Sequence, residues 1–135
     1  MSKTLKEKRE DFLLDTIQHY TSKNRGVKQD QRGHSTVCLY RKNCAIGRKI
    51  DDPALKEEMD RVGGTPAEFE SENPGIWSKM PESLRELGSG FLNSVQRLHD
   101  MDEFWCERGL TALGRGEVRH IRFRWDLDVP TDCVA

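Results

Sequence analysis

The sequence predicts a single, helix-dominated α+β domain over residues 1–135, with a small sheet packed under helices. At 135 residues, the chain is long enough for one hydrophobic core without further support from metals or disulfides. Several segments repeat apolar residues at helical spacing, whereas residues 36–41 and 118–125 have the composition or alternation of strands. Charged residues make up 33% of the chain and apolar residues 35%, so we expect a modest core and a strongly charged surface.

The first predicted element is an amphipathic helix over residues 4–24. Leu13, Ile17 and Tyr20 recur at i, i+4 and i+7, which places them on one face of a helix. Residues 26–35 are polar and show no periodicity, so we expect an exposed loop there.

The central part of the chain predicts a strand followed by a tight turn. Residues 36–40 are β-branched, aromatic or apolar, as is typical of a half-buried strand. Asn43 is suited to cap the next turn, and the small residues Cys44, Ala45 and Gly47 would let that turn pack closely against a neighbour. A short helical turn should then end near residue 50.

Capping residues mark the helices that follow. Asp52 and Pro53 are typical of an N-cap and a first helical position. Thr65 and Glu68 have the spacing of a capping box, in which each side chain accepts a hydrogen bond from the other residue's backbone amide. A turn is predicted at residues 73–75, and another helix at 81–87.

The last third of the chain predicts one long helix and one strand. Apolar residues at helical spacing indicate a helix from Phe91 to at least Phe104, ended by the glycines at 114 and 116. Residues 118–125 then alternate, which favours a strand. Ile121, Phe123 and Trp125 would lie on one face of it, and the opposite face would be basic. The tail at 127–135 is expected to fray.

The net charge of −1 is a sum over the chain, in which a basic block, an acidic block and a second basic block follow one another. Residues 25–50 carry seven basic side chains and one acidic one, a balance of +6. Residues 51–103 carry five basic and thirteen acidic ones, a balance of −8, and residues 104–125 carry five and two, a balance of +3. Such asymmetry bears on the choice of binding partners and not on the fold.

Composition also favours a cytoplasmic protein without membrane contact. No apolar stretch approaches the ~20 residues that a membrane helix needs. The first residues lead into charges rather than into the apolar core of a signal peptide. In a reducing cytoplasm the four cysteines would be free thiols. The sequence does not predict an oligomeric state.

Residues 38–52, with the sequence CLYRKNCAIGRKIDD, carry a resemblance to a known group of proteins. The Tyr-Arg…Cys-Ala-Ile-Gly element resembles one found in small proteins, without an assigned activity, from tailed phages and bacterial prophages. That group also carries a Pro-Glu-x-Leu helix start, then a Leu-x-x-Leu-Gln-x-x-His-Asp helix and a Trp. The matching residues here are Pro81, Glu82, Leu84, Leu92, Val95, Gln96, His99, Asp100 and Trp105.

The resemblance spans residues 12–105 and departs from the group at Arg48, where many members have a second cysteine. It implies an origin in a phage or prophage. Phage accessory proteins often act by occupying a host enzyme or a defence component, so the resemblance also implies a bacterial protein as the partner.

The sequence gives little support for a metal site or for a catalytic site. His34, Cys38 and Cys44 could ligate zinc, but the chain has no Cys-x-x-Cys pair, so we expect no metal and no cofactor. His99 and Asp100 are adjacent on a predicted helix and should point ~100° apart, so they are not expected to form a dyad. Phosphate-loop, nucleophile-elbow and metalloprotease signatures are absent. The sequence therefore favours a protein without catalytic activity.

Two binding hypotheses remain. The leading one is a non-enzymatic accessory protein that binds and modulates a bacterial host or defence protein through the acidic helical region, with inhibition as the expected effect. Its contact residues would be Trp77, Met80, Glu82 and Glu86. The alternative is a nucleic-acid-binding protein that uses an arginine-rich strand face formed by the central and C-terminal strands. Its contact residues would be Arg41, Lys42, Arg48, His120, Arg122 and Arg124.

Overall fold

The computed structural model describes residues 3–20, 27–29, 36–38, 40 and 44–129, with only the backbone described at 27–29 and 36–38. Within these residues it has seven α-helices and four short strands, which confirms the predicted helix-dominated α+β fold. The helices are α1 (Leu5–His19), α2 (Pro53–Val62), α3 (Pro66–Glu72), α4 (Pro74–Lys79), α5 (Glu82–Arg85), α6 (Ser89–Asp100) and α7 (Ala112–Trp125). The strands are β1 (Val27–Gln29), β2 (Thr36–Cys38), β3 (Trp105–Cys106) and β4 (Gly109–Leu110). Two 3₁₀ helices cover Gly47–Lys49 and Asp102–Phe104.

Helix α1 begins at a capping box. The Thr4 hydroxyl accepts a hydrogen bond from the Glu7 amide at 3.1 Å, and the Glu7 carboxylate accepts one from the Thr4 amide at 3.1 Å. The stripe predicted for this helix is buried, including Leu13, Ile17 and Tyr20. The helix ends at His19 rather than at residue 24, because the backbone of Tyr20 is extended while its side chain packs into the core.

The caps of the middle helices are confirmed. The Asp52 carboxylate accepts hydrogen bonds from the amides of residues 54 and 55, and Pro53 is the first residue of α2. Thr65 and Glu68 form the predicted capping box of α3. The predicted turn at 73–75 is the point where α3 ends at Asn73 and α4 begins at Pro74, so the chain changes direction with almost no intervening loop.

The small residues of the central turn are packed as predicted. Cys44, Ala45 and Gly47 are buried, and the 3₁₀ helix Gly47–Lys49 follows them. A Cβ atom at Gly47 would lie 2.1 Å from the carbonyl oxygen of Tyr40, so only glycine allows this approach. The Tyr40 hydroxyl donates to the carbonyl oxygen of Gly64 at 2.9 Å, which ties the turn to the end of α2.

Helix α6 is shorter than predicted. It ends at Asp100 instead of continuing through Phe104, and the chain forms a 3₁₀ helix and then the hairpin of β3 and β4. Gly109 has φ 124°, a conformation that favours glycine and that lets the hairpin turn. The Trp105 indole is buried and donates to the carbonyl oxygen of Leu98 at 2.7 Å, which holds the hairpin against α6.

The strand predicted at 118–125 is wrong, because these residues belong to α7. The Thr111 hydroxyl caps this helix by accepting a hydrogen bond from the Gly114 amide at 3.1 Å. The apolar residues that alternate along the sequence also fit a helical stripe, in which Val118 and Ile121 are buried and Trp125 is half-buried. The predicted pairing of this segment with residues 36–41 therefore does not occur.

The partner of β2 is β1, in an antiparallel pair with Val27 opposite Cys38 and Gln29 opposite Thr36. The loop predicted at 26–35 is thus a strand at residues 27–29, and the remainder of that loop lies outside the described residues. The six residues 21–26, in which helix α1 was expected to end, also lie outside them.

The described part of the tail is packed rather than frayed. Asp126 ends α7 in the left-handed conformation with φ 56°, and the Leu127 amide donates to the carbonyl oxygen of Arg122 at 2.9 Å. Leu127 and Val129 are buried, so the prediction of a frayed tail is wrong for residues 127–129. Residues 130–135 lie outside the described part.

The tail is held by α1. Lys6 forms an ion pair with Asp128 at 2.8 Å, and the Asp128 amide donates to the Glu10 carboxylate at 2.6 Å. The Arg9 guanidinium carbon lies 4.9 Å from the centre of the Trp125 ring. The first helix is therefore joined to the C-terminal end of the last helix and to the residues that follow it.

Candidate interaction surface on the last helix

Helix α7 has one face in the core and one in solvent. Val118 and Ile121 lie in the core, and Gly114 lies against the backbone of Phe104. The opposite side, which we call the α7 face, consists of exposed side chains at a spacing of three or four residues. Its members are Leu113, Arg119, His120, Phe123 and Arg124.

Phe123 is the most exposed large apolar side chain among the described residues, at 90%, and Leu113 is exposed at 62% on the same face. A single exposed apolar residue is ordinary in a folded protein. Here, however, a whole aromatic ring is exposed on a face that also carries two arginines, Arg119 and Arg124. That combination is typical of a contact surface, because aromatic residues and arginine are enriched at interface hot spots.

The four arginines of α7 are used differently. Arg115 donates to the carbonyl oxygen of Leu110 at 3.3 Å, and the Nε of Arg122 lies 3.5 Å from the carbonyl oxygen of Leu127. The Arg124 guanidinium lies 5.3 Å from the centre of the Trp125 ring. Arg119 and Arg124 are exposed and form no salt bridge with a described residue.

A depression of about 450 Å³ lies beside Phe123. It is lined by Arg119, Arg122, Phe123, Asp126 and Leu127. Two guanidinium groups and one carboxylate therefore surround an apolar floor and one aromatic wall. A partner could bury an apolar group against the ring and place a charged group at the rim.

The described residues of the predicted nucleic-acid surface lie on different elements of the fold. His120, Arg122 and Arg124 lie on α7, whereas Arg48 pairs with Asp15 at 2.5 Å beside the end of α1. Arg41 and Lys42 lie outside the described residues. The shared cationic face on two strands was therefore a wrong prediction, because its second strand is a helix.

The residues of the predicted protein-docking surface are only partly exposed. Met80 is 1% exposed and Trp77 is half-buried against the core, so neither offers a free apolar anchor. Glu82 is exposed, and Glu86 forms an ion pair with Lys8 at 3.1 Å. The acidic helices thus keep their charge at the surface while their apolar side chains serve the fold.

Phe123 and Arg119 are surface residues that the sequence pattern did not predict. Thr111 as an N-cap, followed by the apolar stripe at 114, 118, 121 and 125, would have indicated a helix and placed Phe123 on its outer side. The period of two over 118–125 obscured this stripe, because the two patterns share Ile121 and Trp125.

The cysteines also differ from the prediction of free thiols. Cys44 is disulfide-bonded, whereas Cys106 is free and exposed in the hairpin. A disulfide sulfur is not the thiolate that zinc requires, so Cys44 cannot serve as predicted while the bond is intact. The side chains of His34 and Cys38 lie outside the described residues. Among those described, there is no group of three or more His, Cys, Asp and Glu side chains placed to hold a metal ion.

His99 and Asp100 do interact, contrary to the prediction. The His99 Nδ1 lies 2.7 Å from a carboxylate oxygen of Asp100, because Asp100 is the last residue of α6 and its side chain can turn back. His99 is fully buried, and its ring lies 4.7 Å from that of Tyr20. Burial raises the pKa of Tyr20 to about 12. The His99 ring is therefore closed off from solvent and packs against Tyr20.

A cluster of three charged side chains, Asp15, Arg48 and Lys49, lies beside Tyr20. The Asp15 carboxylate contacts Arg48 at 2.5 Å and Lys49 at 2.8 Å. Burial alone would raise the pKa of Asp15, but hydrogen bonds from Lys49 and Arg48 outweigh it and lower this pKa below its usual value. The cluster joins α1 to the 3₁₀ helix Gly47–Lys49.

A second groove, of about 430 Å³, lies between α1 and α5. It is lined by Lys8, Asp11, Phe12, Asp15, Lys49, Ser83, Leu84, Glu86 and Leu87. Both of its lysines form ion pairs with its own carboxylates. Its charges are thus satisfied within the fold, which distinguishes it from the α7 face.

No family model, curated protein or solved structure matches this chain. In the described ranges, no helix has both the length and the apolar composition to cross a membrane.

Proposed function

We propose that this protein is a non-enzymatic accessory protein of a tailed phage or prophage, which binds and inhibits a bacterial protein through the α7 face. The observation that supports this most directly is the 90% exposure of Phe123 on a helix face that also carries Arg119 and Arg124. Burying such a side chain in a partner's pocket is worth roughly 1.5–3 kcal/mol. The fold gains almost nothing from the ring, so its contribution would come from binding.

The chemistry of the partner follows from this face. An apolar pocket rimmed by carboxylates would accept Phe123 and pair with Arg119 and Arg124. The phage origin, the bacterial partner and a cytoplasmic location are supported by the resemblance of residues 38–52 and by the composition of the chain.

Nucleic acid is the second candidate, because exposed arginines beside an aromatic ring could contact phosphates while the ring stacks on a base. Two observations favour a protein instead. Arg115 already donates to a backbone carbonyl, and the Asp126 carboxylate lies in the depression where a phosphate would approach. The cationic surface left for a nucleic acid is therefore small.

Site-directed crosslinking would test this function. A photoreactive phenylalanine analogue is placed at position 123, and in a control protein at Val62, which is 42% exposed on α2. Each is irradiated in a nuclease-treated bacterial lysate, and the adduct is identified by mass spectrometry. The adduct protein is then purified, and its affinity for the wild-type chain and for Phe123→Ala is measured.

The expected result is one protein crosslinked from position 123 and not from 62, whose affinity falls at least ~10-fold in Phe123→Ala. Loss of the adduct after nuclease treatment, with recovery when nucleic acid is restored, would favour the second candidate. Equal affinity of Phe123→Ala and the wild type would contradict binding through the α7 face.

A further inference from the structure

We propose that the depression beside Phe123 is a carboxylate-binding subsite, and that the partner segment docked on α7 carries Asp or Glu next to an apolar residue. This inference rests on the proposed binding function and specifies the chemistry of the partner.

The depression is formed by the end of α7. Asp126 adopts the left-handed conformation, and the hydrogen bond from the Leu127 amide to the Arg122 carbonyl turns the chain back against the helix. Leu127 is buried, so it provides an apolar floor. The depression is therefore formed by an ordered reversal of the chain at the C-terminal end of α7.

Two arginines line this depression one turn apart on α7. Arg119 is exposed, and Arg122 is half-buried with its Nε 3.5 Å from the Leu127 carbonyl oxygen. That contact orients the Arg122 guanidinium and involves only one of its three nitrogens, the Nε atom. Planar guanidinium groups bind carboxylates with two parallel hydrogen bonds, so a pair of arginines is suited to hold an Asp or Glu side chain.

The charges of the depression favour a singly charged group. The lining side chains, two guanidinium groups and the Asp126 carboxylate, sum to 2 − 1, one positive charge, and Asp128 acts on Arg122 from outside the lining. A carboxylate neutralises that charge, whereas a dianionic phosphate would exceed it and would also approach Asp126. The exposed Phe123 ring forms the adjoining wall, so an apolar residue beside the carboxylate would be buried against it.

Asp126 provides an internal test, because its carboxylate lines the same depression and would repel an anionic ligand. Asparagine tolerates the left-handed conformation as aspartate does, so Asp126→Asn removes the charge without altering the turn. A carboxylate ligand should therefore bind this variant more tightly than the wild type.

The test uses the full chain and two fluorescein-labelled 12-residue peptides, one alternating Leu and Glu and the other alternating Leu and Gln. Affinities are measured by fluorescence anisotropy at low salt. The variants are Arg119→Gln, Asp126→Asn and, as a control for the loss of an exposed cation elsewhere, Arg108→Gln in the hairpin. Thermal unfolding of each variant confirms that the fold is retained.

We expect the Glu peptide to bind at least ~5-fold more tightly than the Gln peptide, as charge-assisted bonds exceed neutral ones. Arg119→Gln should remove most of that preference, Asp126→Asn should increase it about 3-fold, and Arg108→Gln should leave it unchanged. A Glu peptide that binds no better than the Gln peptide overturns the subsite, including the case in which neither binds.

A single-stranded thymidine oligonucleotide that binds more tightly than the Glu peptide, with the same dependence on Arg119, would also overturn the carboxylate assignment. The crosslinking from position 123 is independent of these peptides. A partner found there without any carboxylate preference would leave the binding function in place and reject only the subsite.

Discussion

The backbone of Gly114 lies directly against that of Phe104: a Cβ atom at position 114 would be 2.3 Å from the Phe104 carbonyl oxygen. The same Cβ would be 2.9 Å from the Leu110 side chain. This contact seats the first turn of α7 on the 3₁₀ helix Asp102–Phe104 and on the hairpin. Glycine usually favours the end of a helix. Gly114 nevertheless lies inside α7, where it is required because a side chain at this position would not fit.

Gly114→Ala should destabilise the protein, although alanine is the better helix former. The backbone of Phe104 cannot move aside cheaply, so we expect a loss of about 2 kcal/mol in the free energy of unfolding, measured with urea. Gly116→Ala is the matched control, because its Cβ would have only Arg119 within reach, at 4.0 Å. It should stabilise the protein by roughly 0.5–1 kcal/mol. A stabilising Gly114→Ala would contradict the close contact.

The substitutions Phe123→Ala and Ile121→Ala should have opposite consequences for stability. Phe123 is 90% exposed, so its removal should change the free energy of unfolding by less than ~0.5 kcal/mol. Ile121 is buried, and its truncation should cost about 2–5 kcal/mol. In a strand the two side chains would share a face and respond alike. Similar losses in both variants, measured by urea unfolding, would therefore argue against the helix.

Tyr20→Phe should make the protein more resistant to alkali. In the folded state burial raises the pKa of Tyr20 to about 12, whereas in the unfolded chain it is near 10. Between these values only the unfolded state loses the proton, so stability present below pH 10 declines as the pH rises towards 12. The phenylalanine variant lacks this contribution, of the order of 2 kcal/mol. Urea unfolding at pH 9 and pH 11.5 measures the difference.

Burial also raises the pKa of Tyr40, but Tyr40 is present in both proteins and does not affect the comparison. An equal alkaline loss in the wild type and in Tyr20→Phe would show that Tyr20 is not enclosed as described.

Asp15→Asn should reduce the sensitivity of the fold to acid. Hydrogen bonds from Lys49 and Arg48, opposing burial, lower the pKa of Asp15 below its unfolded value. Its contribution to stability is therefore present above about pH 4 and is lost as the pH falls through the folded pKa. The difference in urea-unfolding free energy between pH 7 and pH 3 should be smaller in this variant. Asp51→Asn, at an exposed position before α2, is the control and should behave as the wild type does.

The helix starts could be predicted because they depend on near neighbours in the chain. Asp52 and Thr65 accept bonds from amides two or three residues away, so the sequence itself contains the whole interaction. The end of α6 and the course of α7 depend instead on distant contacts. The hairpin is held by Trp105 on Leu98, and Gly114 is required by Phe104, neither of which is visible in a local pattern.

The sequence predicted only some of the residues that form the candidate site. His120, Arg122 and Arg124 were selected as binding residues for their charge, and they do lie on or beside the α7 face. Phe123 was assigned to the opposite, apolar side, because alternation places neighbours on opposite faces of a strand. A helix turns 100° per residue, so Phe123 lies among its basic neighbours. The error in periodicity thus concealed the ring around which the proposed site is built.

The joining of α1 to the end of α7 has a consequence for biosynthesis. Lys6 and Glu10 contact Asp128 across more than a hundred positions, and contacts of such long sequence separation form only after a large part of the chain is available. A nascent chain on the ribosome cannot complete this clasp until Asp128 has left the exit tunnel. The contact that ties the end of α7 to α1 therefore forms late, after the packing of α7 against α6 and the hairpin has become possible.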